Sequence, residues 1–212
     1  MKYIISMAVA MGVAFTLTWL FGTNNEHIRN ENKPSENKTE KAEQPAQAME
    51  TKAENADVAD DGIITAPLSG KAVKLENVPD QTFAQGILGL GAAIEPTEGK
   101  VVAPDDGKVE TLFDTFHAIG LTLDNGKELL IHVGINTVEL KGEGFKAYVS
   151  EGDRVTKGQT LITFDMDFIK SKGYQTITPV LVGNSDEFAS VEELAEEGTQ
   201  VTIGDKLIKV NA

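Results

Sequence analysis

The fold is decided by residues 128–145, ELLIHVGINTVELKGEGF. They open with a short apolar strand, Glu128–Val133, which a single imidazole, His132, interrupts shortly before a glycine. Directly upstream, Asp-Asn-Gly at 124–126 has the composition of a tight hairpin turn. A strand that follows such a turn predicts an antiparallel neighbour, which Ile119–Leu123 supplies. The stretch therefore predicts antiparallel β structure with a titratable side chain on it.

Similar β-rich segments recur between turn signals over residues 62–212. This spacing is typical of an all-β fold, an antiparallel β-sandwich or barrel. One helix is also predicted, at Ser185–Glu197, where Val191 and Leu194 would face inward. The predicted strands are Gly70–Leu75, Ala92–Ile94, Gly107–Leu112, Ile119–Leu123, Glu128–Val133, Thr160–Phe164, Thr176–Val182 and Lys206–Val210.

Two internal repeats support this architecture. APLSGK at 66–71 returns as APDDGK at 103–108. EGDRVTKGQTLI at 151–162 returns as EGTQVTIGDKLI at 197–208. A strand–turn–strand unit used in pseudo-symmetric pairs accounts for both repeats. The alternative is that turns of one type select similar residues independently.

The first region of the chain, residues 1–22, contains the almost wholly apolar segment Tyr3–Phe21. A helix needs about 20 apolar residues to cross a membrane, and Trp19 near the end suits the headgroup layer. The segment therefore predicts a transmembrane helix. The alternative is a cleaved secretory signal, whose apolar core is usually shorter, about 7–15 residues.

The second region, residues 23–61, is rich in Asn, Glu, Lys, Ala and Gln. It has too little apolar surface to offset chain entropy, which predicts a disordered linker. Four basic residues lie at positions 23–41, whereas Lys2 alone precedes the apolar segment. The positive-inside bias then predicts a single-pass protein of the cytoplasmic membrane, with the folded domain (62–212) on the cytoplasmic side.

Composition excludes several classes of function. The 212-residue chain has a formal net charge of −14 and no basic stripe, so nucleic acid would be repelled. It has no cysteine, which excludes disulfides, thiolate metal sites and thiol nucleophiles.

The predicted domain contains two histidines, His117 and His132. Each interrupts an apolar segment, and residues 113–119 are interpreted as a second strand that carries His117. For one such histidine the alternative to a functional role is a structural one, as a hydrogen-bonded imidazole in the core. A pair, however, can supply a nucleophile and a hydrogen-bond donor together, because imidazole titrates near neutral pH.

Three chemistries use such a pair. Metal-assisted hydrolysis needs a third ligand, and Leu121 stands where the lysostaphin-type peptidases have an aspartate four residues after a histidine. A biotinyl or lipoyl carrier needs a lysine in a hairpin turn, whereas residues 165–167 are Asp-Met-Asp. Phosphoryl carriage needs a neutral imidazole and hydrogen-bond donors for phosphoryl oxygens, which this sequence supplies.

A family resemblance runs from Ile63 to about Lys209. The motifs that carry it are Ala66-Pro67-Leu68-Ser69-Gly70, Val78-Pro79-Asp80, Phe83-Ala84, Val102-Ala103-Pro104, Thr115-Phe116-His117-Ala118 and, most specifically, residues 128–145. With them the sequence resembles the glucose/sucrose-class enzyme IIA (EIIA) component of the bacterial phosphoenolpyruvate-dependent sugar phosphotransferase system (PTS). The resemblance implies a duplicated hybrid motif-like β fold and a phosphohistidine relay.

The resemblance also implies roles for individual residues. His132 stands at the phosphorylated histidine, with Nε2 as the acceptor, and His117 at the partner that stabilises the phosphoryl group. Thr115 matches the threonine that orients this partner, and Gly134 the glycine whose carbonyl fixes the tautomer of His132. Six residues match the apolar surface with which the family binds its partners, and ordinary core packing is the alternative for them. They are Phe83, Ile87, Leu88, Phe113, Leu130 and Val138.

Partners follow from the same resemblance. Phospho-HPr is the implied donor, and a cysteine of a IIB domain in a IIB/IIC sugar permease is the implied acceptor. No cofactor is implied, although a zinc ion bridged by His117 and His132 at an interface is considered. Tyr3–Phe21 and the linker resemble the last helix of a fused IIC domain and its connection. The alternative function is a non-catalytic regulatory binding module acting on transporters or kinases.

The sequence departs from the family at two places. Asn136 stands where many members have aspartate, which removes a negative charge near the phosphoryl site. Gln81, Thr82 and Gly120 are less apolar than the usual partner surface. We expect these departures to change docking strength and partner choice rather than phosphoryl carriage.

Overall fold

The computed structural model of the chain describes residues 61–212. The predicted transmembrane helix at 1–22, and the predicted linker except its last residue, lie outside the described residues. Within 61–212 every strand pair is antiparallel. No helix in that range is long and apolar enough to cross a membrane. The predicted all-β antiparallel class is confirmed for this part of the chain.

The described residues form short strands and two short α-helices. The helices are α1 (Gln81–Ala84) and α2 (Met166–Ser171). The strands are β1 (Ile63–Thr65), β2 (Gly70–Lys74), β3 (Leu90–Pro96), β4 (Lys100–Val102), β5 (Gly107–Leu112), β6 (Ala118–Leu123), β7 (Glu128–His132), β8 (Phe145–Ala147), β9 (Arg154–Val155), β10 (Thr160–Phe164), β11 (Thr178–Val182), β12 (Ser190–Glu193), β13 (Gln200–Val201) and β14 (Lys206–Asn211).

These strands form three sheets. The largest has the order β13-β2-β3-β11-β7-β6-β5-β9, so β7 and its neighbours β11 and β6 occupy its middle. The two smaller sheets have the orders β1-β14-β12 and β4-β10-β8. The hairpin predicted around residues 124–126 is formed by β6 and β7, in which Ala118 lies opposite His132.

All eight predicted strands are present, and Gly107–Leu112 and Thr160–Phe164 have the predicted bounds. The strands that sequence patterns missed are short; Arg154–Val155 and Gln200–Val201 have only two residues each. Two residues cannot display the alternation by which a strand is recognised.

The helix predicted at Ser185–Glu197 was wrong. Residues 185–187 form one 3₁₀ turn, and Ser190–Glu193 is a strand whose Val191 lies opposite Val210. Leu194 is exposed, so it does not share an inward face with Val191. Pairing with β14, and acceptance of the Leu75 N–H by the Glu193 carboxylate, override the local helix propensity.

The two sequence repeats pair in the same way. Ala66 donates its N–H to the carbonyl of Asp205 at 2.7 Å, and Ala103 donates to the carbonyl of Gln159 at 2.9 Å. Correspondingly, β2 pairs with β13 and β5 pairs with β9 at the two edges of the large sheet. Each first repeat therefore folds against its own copy of the second repeat.

Two apolar clusters lie on opposite faces of the large sheet. The main cluster includes Leu129 and Ile131 of β7. The second cluster is smaller and has Leu130 packed against it. Because successive side chains of a strand point to opposite faces, His132 lies on the same face as Leu130. The members of the second cluster are Leu75, Val78, Phe83, Ala93, Ile135, Ile177 and Leu181.

Candidate functional site

His132 is the last residue of β7 and lies at the edge of the second cluster. Its ring packs against Phe83 of that cluster, with ring centroids 5.0 Å apart. The side chain is partly exposed, so it remains accessible to another protein. An imidazole of this kind is backed by apolar side chains and open on one side.

A backbone carbonyl fixes the tautomer of His132. Nδ1 lies 2.8 Å from the carbonyl oxygen of Gly134. A carbonyl can only accept, so Nδ1 carries the proton and the lone pair of a neutral ring lies on Nε2. The chain returns to this position through a left-handed turn, with Gly134 at φ 76° and Asn136 at φ 60°.

We expect Gly134→Ala to destabilise the protein by about 3 kcal/mol or more. A β-carbon at Gly134 would lie 2.4 Å from Cγ2 of Thr137 and 2.6 Å from the Gln175 carbonyl oxygen. The measurement is urea denaturation, with Gly158→Ala as the control. Gly158 has a similar φ of 82° but open space around a β-carbon. Equal losses in the two variants would contradict a packing requirement at Gly134.

His117 is held at the end of a tight turn rather than inside a strand. The prediction of a strand through residues 113–119 was wrong before Ala118, because β6 begins there. Phe116 adopts a left-handed conformation, φ 54°, which is costly for a bulky residue. The turn is closed by the Phe116 N–H, which donates to the Phe113 carbonyl at 2.7 Å. This turn places His117 beside the end of β7, where the Val133 N–H donates to its carbonyl.

Thr115 and Phe113 contact the His117 ring. Thr115 Oγ1 lies 2.5 Å from Nδ1, and the Phe113 ring meets His117 edge-on at 5.4 Å. If the hydroxyl donates to Nδ1, the ring proton lies on Nε2 and can serve a ligand. His117 is only 5% exposed.

The two imidazoles lie side by side. Their ring centroids are 4.8 Å apart and their planes are nearly perpendicular, at 85°. Burial, and to a lesser degree the neighbouring His132, lower the pKa of His117 to about 4. Burial also lowers the pKa of His132, against the opposing effects of the Gly134 carbonyl and the Asp80 charge. Both rings are therefore neutral at physiological pH.

The lowered pKa of His117 predicts a pH dependence of stability. The unfolded chain protonates this ring near its ordinary pKa of 6.5, the folded chain near 4. Between these values the unfolded state binds more protons, so the free energy of unfolding falls as the pH falls, by about 2 kcal/mol after allowance for solvent screening. Carboxylates also contribute there, so His117→Gln is the reference. Urea denaturation at pH 7 and 4.5 should show a smaller loss in the variant; equal losses would contradict it.

The apolar surface predicted from the sequence is partly exposed and partly core. Four of its members, Ile87, Leu88, Phe113 and Val138, are 42–66% exposed. We call these four the apolar rim. Phe83 is buried against His132, and Leu130 is partly buried and packs against the second cluster.

One residue near the site was missed by sequence reasoning. Asp80 caps α1 by accepting the Thr82 N–H at 2.8 Å, and its charge acts on His132. An aspartate before Gln-Thr-Phe-Ala is an N-cap signal that could have identified it.

Metal binding is limited by the number of ligands. Among residues 61–212, no group of three or more His, Asp or Glu side chains could hold a metal ion. His117 and His132 provide two nitrogens, so a zinc ion there would need ligands from a docked protein. An interfacial zinc ion stays a prediction.

Comparison with known proteins identifies relatives of this site. Residues 62–188, which include both histidines, match the family model of the phosphoenolpyruvate-dependent sugar phosphotransferase system, EIIA 1. The chain is 49% identical over 138 residues to the PTS system glucose-specific EIIA component of Halalkalibacterium halodurans, covering 65% of this chain and 80% of that protein. It is 48% identical over 135 residues to the component of the same name from Staphylococcus aureus strain Mu50, covering 64% and 81%.

A solved structure has the same fold. The glucose permease IIA from Mycoplasma capricolum superimposes with a TM-score of 0.61 at 31% sequence identity. The match covers 69% of this chain and 93% of that one.

Proposed function

The chain belongs to the EIIA 1 family of the phosphoenolpyruvate-dependent sugar phosphotransferase system, and from this premise we propose that it carries the phosphoryl group on Nε2 of His132. The observation that carries the proposal is the His132 Nδ1 contact with the Gly134 carbonyl, which leaves Nε2 as the nucleophile. Phospho-HPr is the donor, and a IIB domain is the acceptor.

Acceptance is a displacement at phosphorus. The Nε2 lone pair of neutral His132 forms the new N–P bond while the N–P bond of phospho-HPr breaks and its electron pair returns to the HPr nitrogen. The lowered pKa of His132 supports this step, because a protonated ring has no lone pair to offer. Transfer to a IIB cysteine is the same reaction with the thiolate as nucleophile.

His117 stabilises the phosphoryl group in this proposal. Its ring is 4.8 Å from that of His132, and the Thr115 hydroxyl is in contact with Nδ1. With Nδ1 accepting from Thr115, Nε2–H can donate to a phosphoryl oxygen. A donor fixed in advance in a water-poor site is an effective way to stabilise charge that develops in transfer.

The apolar rim receives HPr and the IIB domain in turn. Its four side chains are exposed, and an exposed apolar group is the usual mark of an interaction surface. Phe113 contacts His117, and Ile87 and Leu88 follow the helix α1, whose Phe83 contacts His132. One surface serves both partners because each must bring its reactive atom to the same Nε2. The names of the relatives point to glucose as the sugar of the system, although no sugar enters this site.

The proposal includes a membrane tether formed by residues 1–61. The apolar length of Tyr3–Phe21 and the basic residues after it support a retained span with the carrier domain in the cytoplasm. A tether would raise the effective concentration at a membrane-bound IIB/IIC permease. N-terminal sequencing of the protein from washed membranes tests it, since a chain that starts beyond Phe21 would indicate a cleaved signal.

The test of the relay uses enzyme I, HPr and labelled phosphoenolpyruvate. We expect acid-labile label on a peptide that contains His132, and its transfer to a purified IIB domain. Tight binding to a transporter or kinase without any transfer would instead favour the regulatory module.

A further inference from the structure

The direction of one carbonyl group decides which nitrogen of His132 is free. The Gly134 carbonyl must point at Nδ1 for the lone pair to stay on Nε2. Gly134 has a φ of 76°, and glycine adopts positive and negative φ about equally readily. The residue itself therefore does not fix the direction of its carbonyl. Other groups must fix the two peptide planes on either side of it.

Each plane has one such contact. On the C-terminal side, the Ile135 N–H donates to the Gln175 carbonyl at 3.1 Å. On the N-terminal side, the hydroxyl of Thr137 donates to the Val133 carbonyl at 2.5 Å. The first contact is between backbone groups, whereas the second depends on a side chain.

The methyl group of Thr137 also packs against Gly134. Its Cγ2 lies 2.4 Å from the position that a β-carbon on Gly134 would occupy, so the methyl group fills the space beside the glycine. Thr137 is fully buried, and the left-handed Asn136 turns the chain so that Thr137 returns beneath the glycine. The hydroxyl and the methyl group thus touch consecutive residues of the loop that carries the carbonyl.

We propose that Thr137 is a positioning residue for phosphoryl acceptance: its hydroxyl holds the Val133–Gly134 backbone so that the Gly134 carbonyl keeps His132 in the Nδ1–H tautomer, while its methyl group packs against Gly134. The inference rests on the proposed phosphorylation of His132. Without the hydroxyl, the Val133 carbonyl loses this donor and the loop relaxes, so the neutral ring populates both tautomers. A ring protonated on Nε2 cannot attack phosphorus.

Thr176 provides a matched control nearby. It is 2% exposed and follows Gln175, the residue that receives the Ile135 N–H. Among the described residues its Oγ1 is a buried atom without a hydrogen-bond partner. Thr176→Val therefore makes the same chemical change at similar burial without removing a bond.

The experiment measures two properties of full-length T137V, T137S and T176V. One is the tautomer of His132 in the unphosphorylated protein, from the ¹⁵N shifts of its ring nitrogens. The other is the rate of labelling by phospho-HPr. In T137V we expect the Nε2–H tautomer to predominate and labelling to be slower by about 10- to 100-fold, because only the remaining Nδ1–H fraction can attack and its ring is less well oriented. T176V should behave like the wild type. T137S should recover the tautomer.

Each other outcome is decisive. Slow labelling with an unchanged tautomer, or wild-type behaviour of T137V, would overturn the inference. If T137V does not fold, T137A is compared with T137S, since these two differ only by the hydroxyl; if neither T137V nor T137A folds, Thr137 serves the fold and the inference fails. A wild-type protein that is not labelled on His132 would refute the proposed function instead, while its tautomer would still be measurable.

Discussion

Replacing His132 by glutamine is expected to lower phosphoryl acceptance by about 10³-fold or more, because the only proposed nucleophile is removed. Glutamine is close in size, and an amide can still donate to the Gly134 carbonyl, so the second cluster should remain packed around Phe83. The measurement is acid-labile label after incubation with enzyme I, HPr and labelled phosphoenolpyruvate.

His27→Gln is the matched control for this variant. It makes the same substitution at the third histidine of the chain, which lies in the predicted linker. We expect it to be labelled like the wild type. Label that is acid-labile and persists in H132Q would refute His132 as the carrier, and loss of label in H27Q would show that the assay reports something other than this site.

The strand that carries His132 could be predicted because three signals agree. The apolar run of 128–133, the Asp-Asn-Gly turn before it and the matching strand at 119–123 define one hairpin, and the structure contains it as β6 and β7. The alternation of that strand also places Leu130 and His132 on one face. Local patterns suffice where the nearest neighbours in sequence are also neighbours in space.

The conformation around His117 could not be predicted in the same way. The sequence of residues 113–119 is apolar enough for a strand, yet Phe116 takes a left-handed conformation that its side chain disfavours. It is held there by the hydrogen bond of its N–H to the Phe113 carbonyl and by the bond of the Val133 N–H to the His117 carbonyl. Such strain is set by tertiary contacts, and it occurs here next to a reactive group.

The influence of Asp80 on His132 and the proposed role of Thr137 have the same origin. Both residues lie inside motifs that are readable in the sequence. However, Asp80 acts on His132, which is far along the chain, and the bond of Thr137 to Val133 depends on a turn. Asp80 acts through α1 and its charge, and Thr137 through a left-handed residue that reverses the chain. A pattern gives the residue type, and only the fold gives the atom that it contacts.

Replacing His117 by glutamine is expected to leave His132 able to accept the phosphoryl group but to slow its onward transfer to a IIB domain by about 10²-fold or more. Acceptance survives because the tautomer of His132 depends on Gly134 and not on His117. Onward transfer suffers because a bound phosphoryl group, with a charge of about −1.5 to −2, raises the low pKa of His117 and favours its cation beside the group. The Thr115 hydroxyl, which donates to Nδ1 of the neutral ring, then accepts from Nδ1–H of the cation. Glutamine stays neutral at every pH.

The measurement for this variant separates the two half-reactions. H117Q is first phosphorylated and freed of HPr, and its loss of label to a purified IIB domain is then followed beside the wild type. Normal labelling followed by slow release of the label would fit a positive charge on His117 that forms only in the phosphorylated state. Before phosphorylation the ring is neutral, because its pKa is about 4. If H117Q instead cannot be labelled at all, the roles of the two imidazoles are reversed, and His117 is the nucleophile.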